Sequence, residues 1–208
     1  MIYDISVPIQ NSMHVWPSDP AVQLEYQSHP ARDKSHTIQV TSINCGSHTG
    51  THVDAPSHMV ERGQTLSEVP LEQLIGPTRV VEIGGARSIQ KKHIERLDWD
   101  GVERVLFKTD NSAHWKDERF YEKFVYLEPD AAEVLVQEGV RLVGIDYLSI
   151  DPYRSEGHPA HFVLFDKSIV ILEGLNLEGV PTGEYQLVAL PIKLHQGDGA
   201  PVRAILIN

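Results

Sequence analysis

The segment His48-Thr49-Gly50-Thr51-His52-Val53-Asp54-Ala55-Pro56-Ser57-His58 gathers three of the chain's eleven histidines and a carboxylate into eleven residues. The four candidate donors stand at even offsets. In extended backbone, where side chains alternate sides, they project from one face. In a helix His48 and His52 would align, but Asp54 would turn to nearly the opposite side. Thr49, Thr51 and Val53 are β-branched and favour extended backbone, and Gly50 and Pro56 would interrupt a helix. Imidazoles and a carboxylate converging from one face are what a borderline divalent ion such as zinc requires.

A catalytic zinc takes about three protein ligands and keeps a position for water. His58, just beyond Pro56, is then available as a general acid/base, since an unperturbed imidazole titrates near pH ~6.5. The competing reading is a polar loop whose groups are satisfied by hydrogen bonds. It suits any one of these histidines alone, but four converging donors are costly to bury unless something coordinates them. Cys45, the single cysteine, invites a nucleophile reading beside His48. A histidine engaged by a metal is a poor base for a thiol, so Cys45 reads instead as a small buried residue.

The string H-x-G-T-H-x-D-x-P-x-H resembles the signature of the cyclase family of metal-dependent hydrolases, the group that includes the bacterial kynurenine formamidases. Tyr3-Asp4-Ile5-Ser6 and Val15-Trp16-Pro17-Ser18-Asp19-Pro20 resemble that family's opening strand and its W-P-G-D segment, with Ser18 in place of the usual glycine. Ile171-Leu172-Glu173-Gly174, then Gly183 to Pro191, then Pro201-Val202-Arg203-Ala204 resemble its ending. The likeness therefore runs nearly end to end.

The resemblance implies a binuclear site of two divalent ions, zinc first and manganese as the alternative. Its ligands would be His48, His52 and Asp54, with Asp54 bridging, joined by Glu173 as a second bridge and by His161 on the second ion. It implies His58 as the catalytic acid/base and Trp16 as an aromatic wall of the substrate pocket. It also implies a single α/β domain over 1–208, a layered β/β/α fold of swivelling type with a mixed sheet, assembled as a dimer or tetramer.

Two of these residues read ambiguously by themselves. Glu173 ends the apolar run Ile169-Val170-Ile171-Leu172, where it either marks a strand end and reaches water or serves as a buried functional carboxylate. Trp16 suits a core or loop-anchoring role as well as it suits ring contact with a substrate. His158 and His161 lie at spacing i, i+3 on a candidate helix, so both can face one site, although His158, in a polar loop before Pro159, reads better as exposed. His36 could approach the motif from the preceding strand. His14, His29, His93, His114 and His195 lie scattered and default to surface or hydrogen-bonded roles.

The elements that must position these groups can be read coarsely. Strands are expected around 2–9, 22–28, 36–45, 78–84, 104–109, 141–148, 169–175, 184–194 and 202–207. Helices are expected at 71–75, 88–97 with Ser88 as cap, 118–125, 129–138 between Pro129 and Gly139, and 158–166. Strand and helix alternate from 78 to 150, which predicts a parallel or mixed sheet with helices packed on it, and the terminal strands predict an antiparallel part. Periodicity alone stops at mixed α/β.

A chain of 208 residues with 41% hydrophobic content suits one well-buried domain. The N-terminus lacks the charged and apolar regions of a signal peptide, no apolar run approaches the ~20 residues of a membrane span, and one cysteine gives no disulfide framework. A cytoplasmic protein without a membrane partner is expected. The net charge of −11 argues against nucleic acid, which draws on clustered Lys and Arg, and Lys91-Lys92 reads as the solvated side of a helix. The expected partner is a small neutral or zwitterionic substrate.

The expected chemistry is hydrolysis of an amide carbon-nitrogen bond, with N-formyl-kynurenine giving kynurenine and formate as the specific reading. Ser18, Tyr147, Ser149, Tyr153 and Arg154 are the positions expected to shape specificity. The alternatives are opening of a cyclic amide such as isatin, and a non-catalytic metal-binding or ligand-binding protein on the same scaffold. His58 beside a full ligand set speaks against the last, since pure binding needs no acid/base.

Overall fold

A computed structural model describes residues 1–208. Its strands, in chain order, are β1 (Ile2–Asp4), β2 (Gln23–Pro30), β3 (Thr37–Asn44), β4 (His52–Asp54), β5 (Ile75–Glu82), β6 (Ser88–Ile89), β7 (Arg104–Lys108), β8 (Tyr126–Leu127), β9 (Leu142–Ile145), β10 (Val170–Glu173), β11 (Gly183–Pro191) and β12 (Gly199–Ile207). The helices are α1 (Leu71–Leu74), α2 (Lys91–Ile94), α3 (Pro129–Gln137) and α4 (Pro159–Phe165). No helix is long and apolar enough to cross a membrane.

The main sheet runs β1-β12-β11-β5-β7-β9-β10-β4, and β4 also pairs with β12. That last pairing closes β4, β10, β9, β7, β5, β11 and β12 into a seven-stranded barrel, with β1 attached outside on β12. The β5-β7-β9-β10 side is parallel and the rest antiparallel. The mixed α/β class expected from the alternation is what the chain adopts.

Period-two alternation sorts the apolar residues into two cores. Leu106, Leu142, Val170 and Leu172 point into the barrel with Val53, Leu187, Ala189 and Leu206. Val105, Phe107, Val143, Ile145 and Ile171 point outward against α3, α4 and the segments around Ile94 and Leu127. Strands buried on both faces read as unbroken apolar runs, as parallel sheets require. Gly144 lies inside the barrel wall, where a Cβ would come within 2.4 Å of Leu106 Cδ2, so the interior closes only around a glycine.

Several expectations are corrected. The segment 118–125 is not helical; instead a 3-10 helix runs over Asp110–Lys116 just before it. Backbone groups that a helix would pair internally are taken by side chains: Val125 N–H donates to Asn111 Oδ1 at 2.7 Å, and Tyr121 N–H to Tyr147 Oη at 2.7 Å. The helix expected at 88–97 shrinks to α2, since Ser88–Ile89 pairs with β8 as strand β6 and Gln90 rather than Ser88 stands at the N-cap. Cys45 is half-buried rather than core.

Candidate metal centre

The motif is not one extended strand. Only His52–Asp54 is strand; His48 stands in a turn that passes through Gly50 at φ 64, and His58 ends a 3-10 turn opened by Pro56. The one-face expectation holds for His52 and Asp54, and the two breakers bend the flanking histidines back over them. The same turn requires a glycine at 174, whose φ is 69 and where a Cβ would lie 1.9 Å from the backbone carbonyl oxygen of Gly50.

The β4–β10 register then supplies the second carboxylate. Glu173 pairs with His52 and Ile171 with Asp54, so the side chains of His52, Asp54 and Glu173 emerge on the outer face of the barrel while Val53 and Leu172 fill its interior. His161 descends onto that face from α4. His52 and Asp54 are 1% exposed, His161 is 2% and Glu173 is 3%, so Glu173 is a buried carboxylate and not a solvated strand end.

The carboxylate oxygens divide the histidines into two sets. Asp54 Oδ1 lies 2.6 Å from His48 Nδ1 and 3.2 Å from His52 Nε2, and Asp54 Oδ2 lies 3.8 Å from His161 Nε2. Glu173 Oε2 lies 3.6 Å from His52 Nε2, and its Oε1 lies 3.4 Å from His161 Nε2. Four groups of donor atoms stand close enough to hold an ion: His48-His52-Asp54 and Asp54-His161-Glu173, which are joined through the carboxylates, and beside them His48-His58-Asp198 and Asp151-His158-His161.

The outward nitrogens of two histidines are fixed by acceptors. His52 Nδ1–H donates to Gly50 O at 2.9 Å, and His161 Nδ1–H donates to Asp151 Oδ2 at 2.6 Å, which leaves Nε2 of both rings facing the carboxylates. Asp151 also accepts from the Ala160 and His161 backbone N–H groups at 3.0 and 3.2 Å, replacing the absent side-chain cap of α4. Asp151 carries no signal in the sequence, because it acts from a loop ten residues away. Asp198 was missed for a similar reason, since Gly197-Asp198-Gly199 reads only as a turn. It lies 2.9 Å from His48 Nε2.

The electrostatics follow from three buried carboxylates, Asp54, Asp151 and Glu173, with no lysine or arginine among these groups. Burial lowers the pKa of His48, yet the Asp54 carboxylate and the hydrogen bond to Asp198 together more than offset it and lift it to about 9. His52 is lifted to about 10 by the same contest. Burial likewise opposes the charged form of His161, but its bond to Asp151 and the other carboxylates raises it. Burial works against the Asp54 carboxylate, and His52 and His48 still hold it well below the usual range. His58 goes the other way, with burial pushing it below 6.5 against a weaker pull from Asp54. Buried anions demand positive charge nearby, and three imidazoles with two carboxylates are a donor set suited to a divalent cation.

A cavity of about 230 Å³ opens beside these groups, lined by Trp16, Ser18, Asp19, Met59, Leu148, Ser149 and His158 as well as the five donors and His58. Trp16 lines this cavity, and its ring also packs edge-on against Phe120 at 5.3 Å and Tyr153 at 5.6 Å. Ser18 and Ser149 reach the cavity, whereas Tyr147 is fully buried behind it and Arg154 stacks over Tyr153. His158 is not the exposed histidine expected: it lines the cavity from a left-handed backbone at φ 46, with Nδ1 buried and unpartnered. His36 lies in the β2–β3 connection, exposed and bonded to Ser35, away from the site.

The putative cyclase family model matches residues 3–152. A kynurenine formamidase of Salinibacter ruber is 43% identical over 206 residues, covering 99% of this chain and 96% of that protein. A solved structure described as a potential metal-dependent hydrolase with cyclase activity superposes with a TM-score of 0.83 at 38% identity, over 99% of this chain and 96% of the other. Isatin hydrolase A from Labrenzia aggregata shares the fold, with a TM-score of 0.83 at 23% identity over 99% of this chain and 93% of the other. A full-length match of this kind, on a chain whose buried histidines and carboxylates converge as described, means that the protein belongs to the cyclase family of metal-dependent hydrolases.

Proposed function

We propose that the protein hydrolyses an aryl formamide, N-formyl-kynurenine, to kynurenine and formate at a centre of two zinc ions. The observation that carries this reading is the pair of donor sets joined through Asp54 and Glu173, with His58 and Trp16 on the same cavity. The full-length likeness to a kynurenine formamidase selects the substrate among amides. Three imidazoles with two carboxylates favour zinc over the oxygen-seeking cations, with manganese as the alternative.

His48, His52 and Asp54 would hold one ion, and Asp54, Glu173 and His161 the other. Ions bound there supply a lowered pKa for water and polarisation of the formyl carbonyl. The chain's own groups do the rest. His58, deprotonated at neutral pH, accepts the proton of the attacking water as the new carbon-oxygen bond forms. It returns that proton to the nitrogen as the carbon-nitrogen bond breaks. Trp16, held by Phe120 and Tyr153, presents its ring to the aryl group.

The assembly belongs to the same proposal. The β2–β3 hairpin is exposed along both strands, with Tyr26 at 76% and Ile43 at 65% exposure, and an isolated two-stranded ribbon is marginal in water. Between Gln23 and Asn44 its charges, Glu25, Arg32, Asp33 and Lys34, cancel on a chain of net charge −11. Such a neutral arm suits a second copy of this chain, in a dimer or a tetramer. A layered β/β/α description of swivelling type, with the barrel walls as two layers and the helices as the third, and a cytoplasmic location complete the reading.

The deciding experiment measures formate release from N-formyl-kynurenine beside ring opening of isatin and simple cyclic imides. Formate release with the highest kcat/KM supports the proposal. Efficient opening of a cyclic amide with negligible formate release would move the chain to the cyclic-amide reading.

A further inference from the structure

Asp198 lies outside the two donor sets joined through Asp54, and groups instead with His48 and His58, which one of its oxygens faces. Its Oδ2 lies 2.9 Å from His48 Nε2 and 3.6 Å from His58 Nδ1. The two imidazoles lie together, their centroids 3.9 Å apart. Asp198 ends the turn between β11 and β12, and that turn is fastened to the motif: Ala55 N–H donates to Asp198 O at 2.9 Å, and Gly199 pairs with Asp54 across the β12–β4 ladder. Gly199 lets the ring stand against the turn, since a Cβ at that position would come within 2.7 Å of His48 Cε1. A half-exposed carboxylate gains little from charge attraction alone, so what this cradle fixes is orientation.

We propose that Asp198 is a positioning residue that sets the orientation of both His48 and His58 through a single carboxylate oxygen. The inference rests on the reading of His48 as a metal ligand and His58 as the acid/base. With Asp54 as a ligand of the same ion, His48 Nδ1, 2.6 Å from Asp54 Oδ1, is the nitrogen on the ion's side, and Nε2, facing an Asp198 carboxylate that only accepts hydrogen bonds, keeps the hydrogen. The same oxygen faces the Nδ1 edge of His58, which leaves His58 Nε2 as the nitrogen free to take and return the proton. Asp198 thus stands to His48 as Asp151 stands to His161, with the acid/base added to its charge.

The test uses Asp198→Ala and Asp198→Asn in the full chain, stripped of metal and titrated with zinc against a competing chelator. Loss of an outer carboxylate typically weakens metal binding ~10–100-fold, and here the loss is expected in one binding step only, the one that uses His48. The step that uses His161 and Glu173 keeps its affinity. At saturating zinc, kcat falls while KM is retained, and the asparagine variant, which keeps one acceptor oxygen, loses less than the alanine variant. Parallel weakening of both steps together with a lower Tm assigns Asp198 a merely structural role and overturns the proposal, as do native affinities with native kcat. If the native protein releases no formate from N-formyl-kynurenine, the substrate reading fails while the zinc titration still decides the role of Asp198.

Discussion

Glu173 stands directly across the β4–β10 ladder from His52, its Oε2 3.6 Å from His52 Nε2 and its Oε1 accepting the Ile150 N–H at 2.7 Å. Side chains directly opposite in an antiparallel pair emerge on the same face, so this one register places two donors at contact distance. A slip of a single residue in β10 would turn Glu173 into the barrel beside Val53 and push Leu172 out onto the face that carries the histidines. The closed barrel forbids that slip, because β4 is paired on both edges.

Metal analysis of the purified protein is expected to find close to two divalent ions per chain. Asp54→Ala should release both, since its two oxygens face different histidines, whereas His161→Ala should release one. Retention of a full complement by Asp54→Ala would contradict the shared role of that carboxylate.

His58→Ala is expected to lower turnover by ~10²–10⁴ and leave metal occupancy near native, because a general acid/base contributes to rate and not to affinity for the ions. The sign of the pH dependence follows from burial, which pushes the His58 pKa below 6.5. A base must be neutral to accept a proton, so kcat should fall on the acid side only below pH 6.5, and the residual rate of the variant should lack that limb. A fall in occupancy alongside activity would make His58 a ligand.

Trp16→Ala should weaken aryl formamides more than aliphatic ones. A buried aromatic contact is worth about 0.5–1.5 kcal/mol beyond its area, or roughly a two- to tenfold change in kcat/KM. Equal losses for the two substrate classes would reduce Trp16 to its packing against Phe120 and Tyr153.

Asp151→Ala removes the cap of α4 and the acceptor of His161 Nδ1 together. Cap loss typically costs ~1 kcal/mol of stability, and loss of the outer carboxylate ~10–100-fold in affinity for the ion held by His161. Thermal unfolding and zinc titration of the same variant should show both effects; a lower Tm with unchanged zinc binding would leave only the cap.

Tyr26→Asp combined with Ile43→Asp should convert the proposed dimer or tetramer to monomer in sedimentation velocity, since both side chains project into solvent from the hairpin. A native protein that already sediments as a monomer would overturn the dimer or tetramer.

The local part of this site is legible in one short segment. His48, His52, Asp54 and His58 lie within eleven residues, with Gly50 and Pro56 as the breakers between them, and likeness to the cyclase family added His161, Glu173 and Trp16. The strands were legible where apolar runs are uninterrupted, as at β7, β9 and β10, and the β2–β3 hairpin was legible as two strands. The apolar and aromatic spacing of 118–125 misled, because periodicity does not reveal that Asn111 and Tyr147 take the backbone groups a helix would need. Tertiary structure alone decided that β4 closes the barrel, that Asp151 and Asp198 stand behind His161 and His48, and that His158 faces the cavity. Each depends on contacts between segments that no local pattern couples. The turn at Gly50, the β4–β10 register and the β12–β4 pairing must all form before a carboxylate at 198 meets an imidazole at 48.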